Sequence, residues 1–192
     1  MNNKYKNHLA KSITFITGSA RSGKSSYALS LAEKQKKDVV FLATATAFDQ
    51  EMKIRIKNHQ NERPSTWKTI EEPIDIDIAL QKISKNTCVI LDCLTLWLSN
   101  MYLVEMEKTK RTQKMEYFLN TLSDIASSII IVSNEVGWGI VPENKIAREY
   151  RDELGSLHQS IAILSNEVIL MVAGLPVTIK QDAAKKIRSK KN

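Results

Sequence analysis

Gly18-Ser19-Ala20-Arg21-Ser22-Gly23-Lys24-Ser25 is a complete G-x-x-x-x-G-K-S, and its reading decides the fold. It follows the apolar run 13–17 (ITFIT) and opens a helical pattern through Glu33, the strand–loop–helix context such a loop requires. Glycines let the backbone curl until its N–H groups converge on phosphate oxygens, and the helix start adds partial positive charge there. In that setting Lys24 reaches the β- and γ-phosphates and the Ser25 hydroxyl holds Mg²⁺. A nucleoside triphosphate is therefore expected as ligand. Kinases, GTPase switches and motor ATPases all carry such a loop, so it does not choose among them.

Outward from the loop, short β-rich runs alternate with helical patterns. Residues 39–44 (VVFLAT), 88–92 (CVILD), 129–133 (IIIVS) and 168–174 (VILMVAG) are continuous apolar runs rather than alternating ones. That is the signature of a parallel sheet covered on both faces by helices. Helical segments fall near 23–35, 49–62, 75–84, 95–104, 112–126 and 143–165. In the last, Ile146, Tyr150, Leu154, Leu157, Ile161 and Leu164 form one stripe. Residues 177–180, after Pro176, predict a final edge strand, and the lysine-rich 105–114 reads as a surface connection. The expectation is one α/β domain over 13–180 with basic tails at 1–12 and 181–192. Asp92, closing the run 88–92, is the carboxylate expected to share the metal with Ser25. An aspartate there can also cap the next helix, a role for which Thr95 competes.

The chain has 192 residues, a net charge of +7 and 43% hydrophobic residues, enough to bury a core and exclude disorder. Residues 1–12 carry +3 and residues 180–192 carry +5, which leaves −1 for 13–179. The excess charge thus sits in the tails and not on a folded basic face, which argues against a nucleic-acid partner. Two cysteines, Cys88 and Cys93, make no disulfide framework, and with scattered His8, His59 and His158 they make a poor zinc site. No apolar run is long enough to span a bilayer or serve as a signal peptide, so no membrane insertion and a cytoplasmic location are expected.

Two further constellations carry chemistry. Glu51, Arg55, His59 and Arg63 fall at steps of four and form one polar stripe if the helix runs through them, with Met52 and Ile56 beside it. The plain reading is a solvated surface helix; the sharper one is a histidine between two arginines, placed to grip an anion. Asn134-Glu135-Val136-Gly137-Trp138-Gly139-Ile140-Val141-Pro142-Glu143 follows a strand directly. It reads either as a strand-to-helix turn or as a ligand loop at the carboxyl edge, where open α/β sheets bind.

Together these residues resemble the bifunctional adenosylcobinamide kinase/adenosylcobinamide-phosphate guanylyltransferases of cobalamin assembly. The resemblance rests on the phosphate loop, E-M-x-x-R-I-x-x-H-x-x-x-R-P (51–64), Trp67 to Glu71, 91–97 (LDCLTLW) and N-E-V-G-x-G-I-V-P-E (134–143). It extends to Arg148, Arg151, Asp152, Gly155, Gln159 and Gly174 through Lys180. It implies a RecA-like P-loop NTPase sheet, a homotrimer, and two reactions: phosphorylation of adenosylcobinamide by ATP or GTP, then GMP transfer from GTP to give adenosylcobinamide-GDP. His59 matches the histidine that becomes guanylylated. The phosphate loop, Ala43, Thr44, Ala45, Gln60, Asn61, Glu62, Arg63, Glu71 and Asp92 match the nucleotide contacts. Three positions depart from the pattern. Asn58 stands where some members have a second histidine, His158 replaces a usual asparagine, and Asp92 replaces the glutamate of some members.

Overall fold

A computed structural model describes residues 12–47 and 49–182. In chain order its elements are β1 (Ile13–Gly18), α1 (Lys24–Glu33), β2 (Asp38–Ala43), α2 (Gln50–Asn61), β3 (Lys68–Glu71), α3 (Ile76–Gln81) and β4 (Thr87–Asp92). These are followed by α4 (Leu94–Leu103), α5 (Lys108–Asp124), β5 (Ser128–Val132), α6 (Lys145–Leu164), β6 (Glu167–Val172) and β7 (Leu175–Gln181). The strands form a seven-stranded sheet in the order β3-β2-β4-β5-β1-β6-β7. All neighbours run parallel except β7, which returns antiparallel on β6.

The continuous apolar runs behave as a doubly covered sheet demands. Successive strand residues feed opposite cores: Phe15 packs on one face with Trp97 and Phe118, and Ile16 on the other with Ala28 and Phe41. Trp97 is fully buried, yet its indole N–H is satisfied by the carbonyl of Ile74 at 2.8 Å. On the opposite face the small side chains of Ala28 and Ala32 let α1 lie close against β4 and β5.

Several boundaries differ from the sequence expectation, each for a local reason. β3 was not expected: KTIE is short, polar and at the sheet edge, so it lacks an apolar run. The stretch 105–114 is not a mere connection, because α5 begins at Lys108. Buried Arg111 anchors that turn through a bidentate pair with Glu153 (3.0 and 2.8 Å) and lies over the Tyr102 ring. The run 168–174 is strand only to Val172; Ala173 and Gly174, both at positive φ, make the turn into β7. β7 extends to Gln181, so that residue belongs to the sheet; residues 1–11 and 183–192 of the expected tails lie outside the described residues. Among the described residues no helix is long and apolar enough to cross a membrane.

Candidate functional site

The carboxyl ends of β2, β4, β5 and β1 lie side by side. Of the residues singled out as nucleotide or metal contacts, Gly18 to Gly23, Ala43, Thr44, Ala45 and Asp92 sit at or just after these ends, and Glu71 ends edge strand β3. Lys24 and Ser25 open α1, and Gln60 to Arg63 lie at and just beyond the end of α2. The phosphate loop leaves β1 at Gly18, whose φ of +149° suits glycine alone; a Cβ there would stand 2.5 Å from the Met171 carbonyl oxygen. Gly23, at φ +91°, caps α1 against Gly174. The Gly174 N–H donates to the Ser22 carbonyl at 3.1 Å, so the β6–β7 turn forms one wall of the loop. Ser19, Ala20 and Arg21 are exposed at its tip.

Lys24 is buried, and its ammonium donates to the carbonyls of Gly18 (3.0 Å) and Ser19 (2.7 Å). Burial lowers its pKa below the ordinary lysine range, with the Asp92 charge opposing that shift in part. The Ser25 hydroxyl donates to Asp92 Oδ2 at 2.9 Å although β5 separates their strands. Burial raises the Asp92 carboxyl above the usual aspartate range, countered by the Ser25 bond and by nearby His59, Arg63 and Lys24. Neither Asp92 nor Thr95 caps α4: Cys93 occupies that position without a side-chain bond, and the Thr95 hydroxyl instead accepts from the Asn134 N–H at 2.7 Å.

Thr44 is fully buried. Its hydroxyl donates to the Cys93 carbonyl (2.7 Å) and accepts from the Cys93 N–H (2.8 Å), and its carbonyl takes the Asn100 amide. Its side chain therefore ties the end of β2 to the end of β4, while Ala43 and Ala45 bracket it. Sequence reasoning missed Asn100, whose lone amide in an apolar helix was the available signal.

His59 and Gln60 lie in the last turn of α2, which buries no residue of its own. The helix starts at Asp49, which accepts from the Met52 N–H at 2.7 Å, and it is tied to β3 by Gln60 donating to Glu71 at 3.3 Å. The stripe holds over Glu51, Arg55 and His59 but does not reach Arg63. α2 ends at Asn61, Arg55 pairs with Glu51 at 3.1 Å, and Arg63 turns inward with its guanidinium 3.4 Å over the Phe41 ring. Burial lowers the Arg63 pKa, opposed by Asp92, Glu71 and Glu62. Its Nη1 is buried without a hydrogen-bond partner among the described residues. His59 Nδ1 is 3.2 Å from Glu62 Oε2, and because a carboxylate only accepts, the bond puts the proton on Nδ1 and the lone pair of a neutral ring on Nε2. His59 thus stands in the last turn of α2, four residues before the guanidinium that reaches in over Phe41 of β2.

Residues 14–179 match the family described as cobinamide kinase / cobinamide phosphate guanyltransferase. The chain belongs to this family. It is 42% identical over 166 residues to the bifunctional adenosylcobalamin biosynthesis protein CobP of Pseudomonas aeruginosa, covering 86% of this chain and 95% of the relative. To the bifunctional adenosylcobalamin biosynthesis protein CobU of Escherichia coli it is 34% identical over 179 residues, 86% of this chain and 98% of that one. The solved structure of the RadB recombinase aligns with TM-score 0.50 at 15% identity, over 83% of this chain and 73% of that one, a likeness of fold alone. The fold is thus the expected P-loop α/β sheet, and the family is one of cobalamin biosynthesis.

Proposed function

We propose that this chain performs both reactions of its family at one site. It phosphorylates adenosylcobinamide with ATP or GTP, then transfers GMP from GTP through guanylylated His59 to give adenosylcobinamide-GDP. In the first reaction the aminopropanol hydroxyl oxygen bonds to the γ-phosphorus as the bridging bond to the β-phosphate breaks, and the hydroxyl proton is released. Lys24 and the loop amides spread the charge on the leaving nucleotide. In the second, His59 Nε2 bonds to the α-phosphorus and pyrophosphate leaves. A phosphate oxygen of the phosphorylated cobinamide then displaces Nε2, regenerating the histidine.

The observation that carries this reading is geometric: the Ser25–Asp92 pair stands at the phosphate loop, and Arg63, four residues after His59, reaches in over Phe41 of β2. The unpartnered Arg63 Nη1 supports a phosphate contact there. Ser25 and Asp92 offer two adjacent hard oxygens, which suits Mg²⁺, an ion commonly held by one or two protein groups plus phosphates. When bound it would neutralise phosphate charge. Ala43, Ala45, Asn61 and Glu71 would line the nucleotide. Glu62 would orient His59, and the Thr44 side chain would act by holding strand ends together. The 13–180 unit acts as one domain in this reading. Exposed Leu175, Val177 and Ile179 on edge strand β7 support contact with further copies, in keeping with a homotrimer. Two free, buried cysteines and nucleotide substrates favour the cytoplasm.

Incubation with GTP labelled at the α-phosphate tests the reading. The protein should acquire label that is acid-labile and alkali-stable, as a phosphoramidate is. His59→Ala should lose that label and adenosylcobinamide-GDP while still phosphorylating adenosylcobinamide; label retained by the variant would refute the assignment.

A further inference from the structure

The connection from β5 to α6 is not used by the nucleotide chemistry, yet it carries a concentrated apolar surface. Trp138 is 75% exposed, Ile140 97% and Val141 59%, and Ile146 at the start of α6 is 60% exposed. Scattered exposed apolar residues are ordinary, but a contiguous set on one short connection marks a binding surface. The segment is built and held at both ends. At its start the Glu135 N–H donates to the Gly18 carbonyl at 2.9 Å, and the Glu135 carboxylate accepts from the Gly137 N–H at 2.7 Å. At its far end Arg148 donates to the carbonyls of Pro142 and Glu143.

Its position points to the occupant. β5 lies between β1, which ends in the phosphate loop, and β4, which ends in Asp92. The connection that carries the apolar residues therefore leaves the sheet between the strands that end in these two groups, and at Glu135 it is bonded directly to the first residue of the loop. A molecule seated on it has its edge beside that phosphate. The phosphoryl acceptor of this family is a cobinamide. Its corrin macrocycle is broad and flat, with methyl-bearing faces and a rim of amides, and its hydroxyl is on a short arm. Such a body needs an apolar platform close to, but not in, the phosphate site; an indole suits that, and flanking peptide groups suit the amide rim.

We propose that the segment from Trp138 to Val141 is the docking surface for the corrin ring of the cobinamide substrate, seating it so that its aminopropanol arm reaches the phosphate loop. This rests on the function proposed above and names the part of the site that selects the acceptor.

Trp138→Ala and Ile140→Ser test it, since both side chains are too exposed to support the core. Each should raise the KM for adenosylcobinamide about tenfold, the equivalent of about 1.4 kcal/mol, with kcat within about twofold of wild type. The KM for ATP, guanylylation of His59 by GTP without any corrinoid, and the sedimentation coefficient should stay unchanged. Unchanged KM for adenosylcobinamide in both variants would overturn the proposal. So would a changed sedimentation coefficient with loss of every activity, which would assign the surface to a second copy of the chain. If the wild-type protein itself failed to phosphorylate adenosylcobinamide, the function proposed above would fail first. Equilibrium dialysis of adenosylcobinamide against wild type and Trp138→Ala would then still report whether the surface binds the ring: equal retention overturns the docking, and weaker retention by the variant upholds it.

Discussion

Replacing Glu62 separates two roles that its position allows. The family resemblance implies a nucleotide contact for it, whereas the geometry makes it the partner of His59 Nδ1 at 3.2 Å. The pair is open to solvent, with the His59 side chain 44% and the Glu62 side chain 53% exposed. Exposed pairs of this kind are worth about 0.2–1 kcal/mol after solvent screening and side-chain ordering. If the bond serves only to fix the ring and its tautomer, Glu62→Ala should slow guanylylation of His59 by about 1.4- to 5-fold. Glu62→Gln keeps an acceptor oxygen and should stay near wild type. The assay is single-turnover labelling of the protein from α-labelled GTP, with phosphorylation of adenosylcobinamide as an internal control that should not move. A loss of 10²-fold or more would refute the reasoning, as would a raised KM for GTP with an unaltered single-turnover rate. Either result would mean that the carboxylate acts on the nucleotide or the reacting phosphate.

Asp92→Asn keeps an acceptor for the Ser25 hydroxyl but removes the charge, so the Mg²⁺ midpoint of the kinase reaction should rise by about tenfold while the melting temperature holds. Gly18→Ala would drive a Cβ into the Met171 carbonyl and should cost about 2–4 kcal/mol in urea unfolding; a cost under about 0.5 kcal/mol would mean that β1 and β6 are looser than described. His158 is buried against the Phe15 ring with Nε2 2.7 Å from the Ser133 hydroxyl, and burial lowers its pKa while Glu135 opposes. The unfolded chain then binds more protons, so its contribution to stability is full above about pH 6.5 and is lost as pH falls below that value. His158→Gln should flatten that acid-side slope in denaturation curves taken between about pH 7 and 5.

How far the sequence was legible follows from what each element is made of. β5 is a fully buried strand and β1 and β4 are buried but for Thr17 and Asp92, so their apolar runs announce them, and the loop motif announces the phosphate site. β3 was silent because an edge strand with exposed lysine, threonine and glutamate gains its stability from pairing with β2, which no local pattern records. The start of α5 was hidden in a run of charges because the residue that fixes it, Arg111, finds its partner Glu153 on α6. Spacing of four suggested that Arg63 shares a stripe with His59. The helix stops short of it, and Phe41 on β2 offers a better place for the guanidinium. Pattern reading found what is decided locally and missed what is decided by a distant neighbour.

The loop wall made by the β6–β7 turn has a consequence for how the protein comes into being. β1, with the phosphate loop at its end, precedes every other described strand in the chain, but both its partners come late. Its register is set by Ile129–Val132 on one side and by Glu167–Met171 on the other. The loop is closed only when Gly174 donates to Ser22. An early strand that must wait for late ones gives a fold of high contact order and leaves its apolar face uncovered while the middle of the chain is made. Nucleotide stabilises only a state that binds it, so ATP or GTP can lend no stability to a nascent chain that has not reached residue 174. A translation product cut short in α6 would therefore be exposed to proteases and chaperones without the protection that substrate gives the finished enzyme.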